Sequence, residues 1–366
     1  GVSINSKEVK KNNLFIAIKG RNNDGHEYIG EAIKNGAKYA VASKKKNKVN
    51  FKQLIKFNNT HDFLNKFASL KRGASMAKII AITGSSGKTT VKTILGKLLN
   101  VFAPTYFSPK SYNNHYGVPI SLSNLESHHN FGVFEIGMSN SGEISKLSKQ
   151  VRPHIAVITN VAEAHIENFK NTKDIAKAKG EIISNINSEG FLIINRDDKF
   201  YNYFNNLAKK RNIRTISFGF SKKSDIRPLQ IKNINNNKFI KIKSFNKELK
   251  FNYNNINIYN ILISLAVLDI LNLDQKKIIK DISNLEPPEG RGKIYGIKRF
   301  NTNFRLIDES YNANPLSFKN AISNISAIKR DDFKKYILIG DMLELGDKSI
   351  FFHKKLSQII NNADID

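Results

Sequence analysis

Between Lys78 and about Gly292 the chain alternates short apolar runs with segments whose apolar residues recur at helical spacing. The runs Lys78–Thr83, Phe131–Ile136, Ile155–Thr159, Phe191–Asn195 and Thr215–Gly219 read as buried strands. After the first of them Val91, Ile94, Leu95, Leu98, Leu99 and Phe102 follow the i, i+3, i+4, i+7 spacing of one buried helix face, with Lys92 and Lys97 outside the stripe. A second helix is predicted from about Thr172, its face formed by Ile175, Ile182, Ile183 and Ile186. This alternation predicts an α/β fold with a mostly parallel central sheet, whose ligands gather at the carboxyl ends of the strands. From about Ile226 to Phe251 the rhythm changes to Ile/Phe alternation around Asn235-Asn-Asn237, which predicts a hairpin.

The flanks carry weaker patterns. Leu14–Ile18 and Tyr39–Ala42 read as strands, with a helix near Ile29–Asn35 closed by Gly36. Lys44 to Lys48 reads as a solvated loop. Beyond Lys293, Phe304–Asp308 and Tyr336–Gly340 are expected to be strands, and Asn314 and Pro315 are placed as N-cap and first residue of a helix between them. Three domains are expected, over residues 1–76, 77–295 and 296–366. Two strands in about 70 residues are a small share of an α/β layer, so the last domain is expected to be incomplete.

Composition narrows the classes. The 366 residues, 40% of them hydrophobic, suffice for several ordinary cores. No apolar run approaches the roughly 18 residues that span a bilayer, and the N-terminus lacks a basic-then-apolar signal, so no membrane insertion and a cytoplasmic location are expected. The absence of cysteine excludes disulfides and thiolate zinc sites and fits a reducing compartment. A net charge of +28 would ordinarily suggest nucleic acid. However, 48 of the 59 basic residues are Lys, spread along the whole chain. Neither clustered Arg nor an aromatic stacking platform is evident, so no nucleic-acid partner is expected.

The strongest chemical signal is Lys78-Ile-Ile-Ala-Ile-Thr-Gly-Ser-Ser-Gly-Lys-Thr-Thr90, a strand, a glycine-rich loop and a helix start. Backbone N–H groups and the positive end of a helix converge there, Lys88 adds a full charge and the Thr89 hydroxyl can reach a metal, which together suit a triphosphate. Ile82 stands where the longer phosphate-loop pattern has glycine, leaving the shorter Thr-Gly-x-x-Gly-Lys-Thr form.

Other candidates are single residues. Glu135 ends a buried strand and is either a hard oxygen donor for Mg²⁺ or a cap for a neighbouring helix. His165 follows the strand Ile155–Thr159 at the same sheet edge and is either structural or a ligand. Lys179 interrupts the apolar stripe of its helix, so its amine must snorkel, pair or be chemically altered. Arg291, in Pro287-Pro-Glu-Gly-Arg-Gly292, and Asp308 lie near a domain junction and are either a nucleotide clamp or surface charges at a hinge.

Taken together, Gly84-Ser-Ser-Gly-Lys-Thr-Thr-Val-Lys92, Ser111-Tyr-Asn-Asn-His-Tyr-Gly-Val-Pro119, Tyr311-Asn-Ala-Asn-Pro-Leu-Ser317 and Gly340-Asp-Met-Leu-Glu-Leu-Gly346 resemble the Mur ligases of bacterial cell-wall synthesis over essentially the whole chain. The resemblance implies a three-domain architecture: a small N-terminal α/β domain, a central phosphate-loop ATPase sheet and a Rossmann-like C-terminal domain. It implies a monomeric, ATP-dependent amide ligase that joins D-alanyl-D-alanine to UDP-N-acetylmuramoyl-tripeptide through an acyl phosphate. Residues Gly84, Ser85, Ser86, Gly87, Lys88, Thr89 and Thr90 would cradle ATP, with Asn257, Arg291 and Asp308 as further nucleotide contacts. Thr89, Glu135, His165 and a carbamylated Lys179 would hold Mg²⁺, as two ions, and Lys88, Lys179 and His165 would be catalytic. Ser6, Asn113 and Asn114 would contact substrate. Asn5-Ser6-Lys7 departs from the family's Asp-Ser-Arg, and Ile256 stands where His is usual. A folylpolyglutamate-synthase-like ligase shares the short loop and the amide-forming logic and is the alternative.

Overall fold

The computed structural model describes residues 1–20, 22–44, 51–164, 166–234, 237–254, 256–299, 302–328 and 333–366. The N-terminal layer is a parallel sheet in the order β1 (Val2–Ser3), β2 (Asn13–Ile16), β3 (Ala37–Ala42), β4 (Leu54–Lys56), with α1 (Ile29–Lys34) packed on it. Lys44 begins a segment whose remainder, to Lys48, lies outside the described residues. Helix α2 (Thr60–Ala74), capped by Asn59, then leads into the central sheet.

That sheet is built from β5 (Lys78–Thr83), β6 (Thr105–Phe107), β7 (Phe131–Glu135), β8 (Ile155–Ile158), β9 (Phe191–Asn195), β10 (Arg214–Phe218), β11 (Ile226–Ile234), β12 (Asn237–Ser244) and β13 (Lys247–Tyr253). Among the described residues the strand order is β13-β12-β11-β10-β9-β8-β5-β7-β6, with β6 to β11 parallel and β12 and β13 antiparallel. The predicted α/β class and mostly parallel sheet are present. The hairpin expected around Asn235-Asn-Asn237 is a three-stranded antiparallel extension, its β11–β12 turn outside the described residues.

Alternate residues of the parallel strands feed two cores. Ile80 and Ile82 of β5, Phe131 and Val133 of β7 and Val157 of β8 pack toward α3 (Lys88–Leu99). Ile79, Ala81, Phe134 and Ile158 face the side carrying α4 (Gly117–Ser123), α5 (Glu143–Val151), α6 (Thr172–Gly180) and α7 (Tyr201–Lys209). By this period of two, Glu135 shares its face with Val133 and is directed at α3. Helix α8 (Ile258–Ile270) shares the core of α3 and is apolar all round, and α9 (Ile279–Ser283) closes that side.

The last region opens with an antiparallel pair, β14 (Lys293–Arg299) and β15 (Thr302–Asp308). Helix α10 (Pro315–Ser326) starts as its sequence predicts, with a reciprocal cap between Asn314 and Ser317 and Pro315 first. Tyr336–Gly340 is not a strand: its backbone pairs with no ladder among the described residues, and Tyr336 and Leu338 are exposed. An apolar run suffices for the pattern, whereas a strand needs a neighbour to satisfy its N–H and C=O groups. Met342, Leu345 and α11 (Ser349–Asn361), through Phe352 and Leu356, join the core around Ile166 and Phe169 instead. Among the described residues no helix is long and apolar enough to cross a membrane.

Candidate active site

The loop between β5 and α3 is held from one side by the end of β8. Ser85 N donates to the Asn160 carbonyl, Ser86 N to Asn160 Oδ1 at 3.0 Å, and Thr159 Oγ1 to the Ser86 carbonyl at 2.6 Å. Gly84 has φ +147°, and a Cβ there would lie 1.8 Å from Thr159 Oγ1, so both conformation and space require glycine. Gly87 takes φ +83° and caps α3, leaving the first-turn N–H groups of that helix pointing out of the loop. Lys88 Nζ closes back on the Gly84 carbonyl at 2.8 Å. Burial lowers the pKa of Lys88, and Arg291 adds to that lowering, while Glu135 and Glu344 act in the opposite direction.

Glu135 is the hub on the other side. Its Oε2 accepts from Thr89 Oγ1 at 2.8 Å, its Oε1 from Asn113 Nδ2 at 2.7 Å, and Lys92 Nζ stands 3.5 Å from Oε2. Ser111 Oγ is 3.3 Å from Thr89 Oγ1. Arg291 arrives from the β14 junction, its Nη2 at 3.5 Å from Thr89 Oγ1 and its guanidinium 4.2 Å over the Tyr311 ring. The Arg291 Nε is buried without a partner among the described residues. A hydroxyl, a carboxylate, an ammonium and a guanidinium thus meet at the N-terminus of α3, a donor set for a polyanion with a hard cation.

Two family models match the chain, the Mur ligase middle domain over residues 82–268 and the Mur ligase family catalytic domain over residues 1–72. The UDP-N-acetylmuramoyl-tripeptide--D-alanyl-D-alanine ligase of Rickettsia prowazekii is 37% identical over 99% of this chain and 80% of its own length. The chain belongs to the Mur ligase family. Among solved structures it is similar to MurF from Acinetobacter baumannii, with TM-score 0.85, 28% identity and coverage of 100% of this chain and 79% of that one. It is likewise similar to MurF ligase from Thermotoga maritima in complex with ADP, with TM-score 0.82, 29% identity and coverage of 99% and 82%.

Within this Mur ligase, the residues singled out from sequence fall in different places. Thr89, Glu135, Lys88, Arg291 and Asn113 converge. Lys179 is 2% exposed on α6, with no hydrogen-bond or ion-pair partner among the described residues, and burial together with the charge of Lys88 pushes its pKa well below the ordinary lysine value. His165 lies outside the described residues. Asp308 accepts from Gly290 N, next in the chain to Arg291, at 3.2 Å and from the hydroxyl and N–H of Ser310, whose bonds lower its pKa. Asn257 caps α8 by accepting from Tyr259 N at 2.9 Å. Three residues on, Asn260 Oδ1 would stand 3.5 Å from a Cβ on Gly87, and the Tyr259 hydroxyl donates to Asp197 at 3.0 Å. Thr90 is on the first turn of α3. Asn114 accepts from Tyr116 N and Gly117 N at the start of α4, and Ser6 is buried with its hydroxyl on Glu31 at 2.8 Å.

Sequence reasoning missed Lys92, Asn160, Ser111 and Tyr311. Lys92, expected outside the buried stripe, is 1% exposed. The available signal was its spacing: three residues beyond Thr89, it lies on the same side of the helix. Gly96 continues that side, where a Cβ would meet Phe107 at 2.4 Å, so β6 and the following segment press close enough to cover Lys92.

Proposed function

We propose that this protein is the ATP-dependent ligase that joins D-alanyl-D-alanine to UDP-N-acetylmuramoyl-tripeptide in the cytoplasmic synthesis of peptidoglycan precursor. The observation that carries the reading is the match at 37% identity to a relative of that name over 99% of this chain and 80% of the relative, which also favours it over the folate-type alternative. Residues 1–76 would take the nucleotide-sugar substrate, 77–295 ATP and 296–366 would contribute to the amine side.

A free carboxylate is a poor electrophile, so activation comes first. A carboxylate oxygen of the tripeptide forms a bond to the γ-phosphorus of ATP as the bond to ADP breaks, giving an acyl phosphate and ADP. The amine of D-alanyl-D-alanine then attacks the acyl carbon, loses a proton and expels phosphate, leaving the amide. The first-turn N–H groups of α3, Lys88 and Arg291 are set to stabilise charge on the transferred phosphoryl group. Packing of the 342–352 region on residues 166–172, through Glu167 N to the Glu344 carbonyl at 3.3 Å and Lys348 Nζ to the Lys170 carbonyl at 3.1 Å, brings the third region to the same sheet edge and favours exclusion of water.

Thr89 and Glu135 fit Mg²⁺, being two hard oxygen donors at the mouth of the phosphate loop. When bound, Mg²⁺ supplies charge neutralisation and Lewis acidity at the phosphates. In the same reading a second ion would be held by His165, which lies outside the described residues, and Lys179. The buried amine of Lys179 is favoured in the neutral form that adds CO₂, giving a carbamate and a proton, which would turn an unpaired amine into an oxygen ligand. Phosphate release from ATP, measured with both co-substrates and with each omitted, tests the reading. Release requires both substrates if it holds, and release indifferent to D-alanyl-D-alanine overturns it.

A further inference from the structure

Lys92, buried in a pair with Glu135, has no part in the chemistry above. Each is 1% exposed, so the Lys92 amine does not snorkel to water. It donates to the Lys110 carbonyl and lies 3.5 Å from Glu135 Oε2. The other bonds to the carboxylate come from neutral groups, Thr89 and Asn113. Lys88 and Arg291 feel the charge of Glu135 from farther away, but among the described residues only Lys92 makes an ion pair with it. A buried carboxylate held by neutral donors alone would carry most of its desolvation penalty uncompensated.

We propose that Lys92 is a positioning residue, the resident counter-ion of Glu135, which balances the carboxylate's charge and fixes its aim at the first turn of α3 before Mg²⁺ and nucleotide bind. The inference rests on the reading of Glu135 as a ligand of Mg²⁺. Its anchor is the backbone of the segment that carries Ser111 and Asn113, and the Lys110 side chain ties that segment to Glu8 of the N-terminal layer at 2.7 Å. The ammonium and a divalent cation then share one carboxylate. With Lys92 present, free Mg²⁺ meets a site already carrying a positive charge, and its binding is favoured together with the negative charge of the nucleotide.

The test is thermal unfolding of the full chain with no addition, with Mg²⁺ alone and with Mg²⁺ and ADP. Lys92→Met keeps the aliphatic bulk and removes the charge. Without additions its Tm is expected to fall by about 5 °C or more, because a buried carboxylate has lost its cation. Mg²⁺ alone is expected to restore several degrees to this variant while shifting the wild type by about 1 °C or less. The double variant Lys92→Met with Glu135→Gln is expected to recover stability over Lys92→Met and to lose the Mg²⁺ response. A Lys92→Met protein with wild-type Tm, or with the wild-type increment from Mg²⁺, overturns the proposal, as does a double variant no more stable than the single one. If Lys92→Met does not fold and the double variant does, the counter-ion role stands. If neither folds, Lys92 is a packing residue and the proposal falls. Failure of the underlying site reading shows separately, as a wild-type protein whose Tm does not respond to Mg²⁺ and ADP together.

Discussion

Arg291 Nη2 lies 3.5 Å from Thr89 Oγ1 although the two residues are 202 positions apart, and the guanidinium rests on the Tyr311 ring from the third region. One side chain therefore links the start of α3 to the turn between β15 and α10. Arg291→Ala is expected to lower kcat/KM for ATP by roughly 10- to 100-fold. Arg291→Lys should recover little, because an ammonium neither stacks nor forks. Steady-state phosphate release checks this, and an unchanged kcat/KM would remove Arg291 from the nucleotide site.

Lys88→Ala is expected to reduce ligation by at least about 10²-fold with little change in Tm, since among the described residues the amine bonds only a loop carbonyl and it belongs to neither core. Product formation and thermal unfolding of the same preparation check it. Wild-type turnover in this variant would sink the phosphate-loop assignment.

For Glu135→Ala the expected result is a raised Mg²⁺ requirement together with a large loss of rate, because Thr89, Asn113 and Lys92 all lose their shared acceptor. Titrating activity against Mg²⁺ at saturating ATP measures it. A variant with the wild-type metal profile would exclude the carboxylate from metal binding.

Lys179→Ala is expected to lose at least about 10²-fold in rate and to regain part of it when a short carboxylic acid fills the vacated space. Lys179→Glu, with a shorter side chain than a carbamate, should not restore full function. Activity of Lys179→Ala close to wild type, with no response to added acid, would return this buried amine to a packing role.

His154 Nδ1 accepts from Ile79 N at 2.9 Å, and burial, with help from Arg72 and Lys78, pushes the imidazole down to about 4. The unfolded chain binds a proton near pH 6.5 that the native state refuses until about pH 4. The stability this group contributes is therefore complete above about 6.5 and is lost as pH falls toward 4, by about 1–2 kcal/mol once solvent screening of the half-buried ring is counted. His154→Asn, which keeps an acceptor that does not titrate, is expected to flatten the acid side of a plot of stability against pH. Equal slopes in the two proteins between pH 6.5 and 4 would contradict the assignment.

What the sequence determined by itself was whatever is local. Lys78 to Thr90 specifies strand, loop and helix start within 13 residues, because left-handed glycines, a first-turn lysine and an apolar stripe act over a few bonds. Lys179 was visible as a polar residue in the face of Ile175 and Ile182, and Asn314-Pro315 as a helix start, for the same reason. Tertiary structure decided the rest. Lys92 is buried only because Phe107 closes on Gly96 and carries the Lys110 carbonyl over the helix, a contact that helical periodicity cannot express. Tyr336–Gly340 has the composition of a strand, but no ladder reaches it among the described residues. Asn257 and Ser6 have side chains of the right type for ligands, and only the fold decides that Asn257 Oδ1 caps α8 and that the Ser6 hydroxyl turns to Glu31. A residue's type fixes which bonds it can make, and the approach of distant segments fixes which of them it does make.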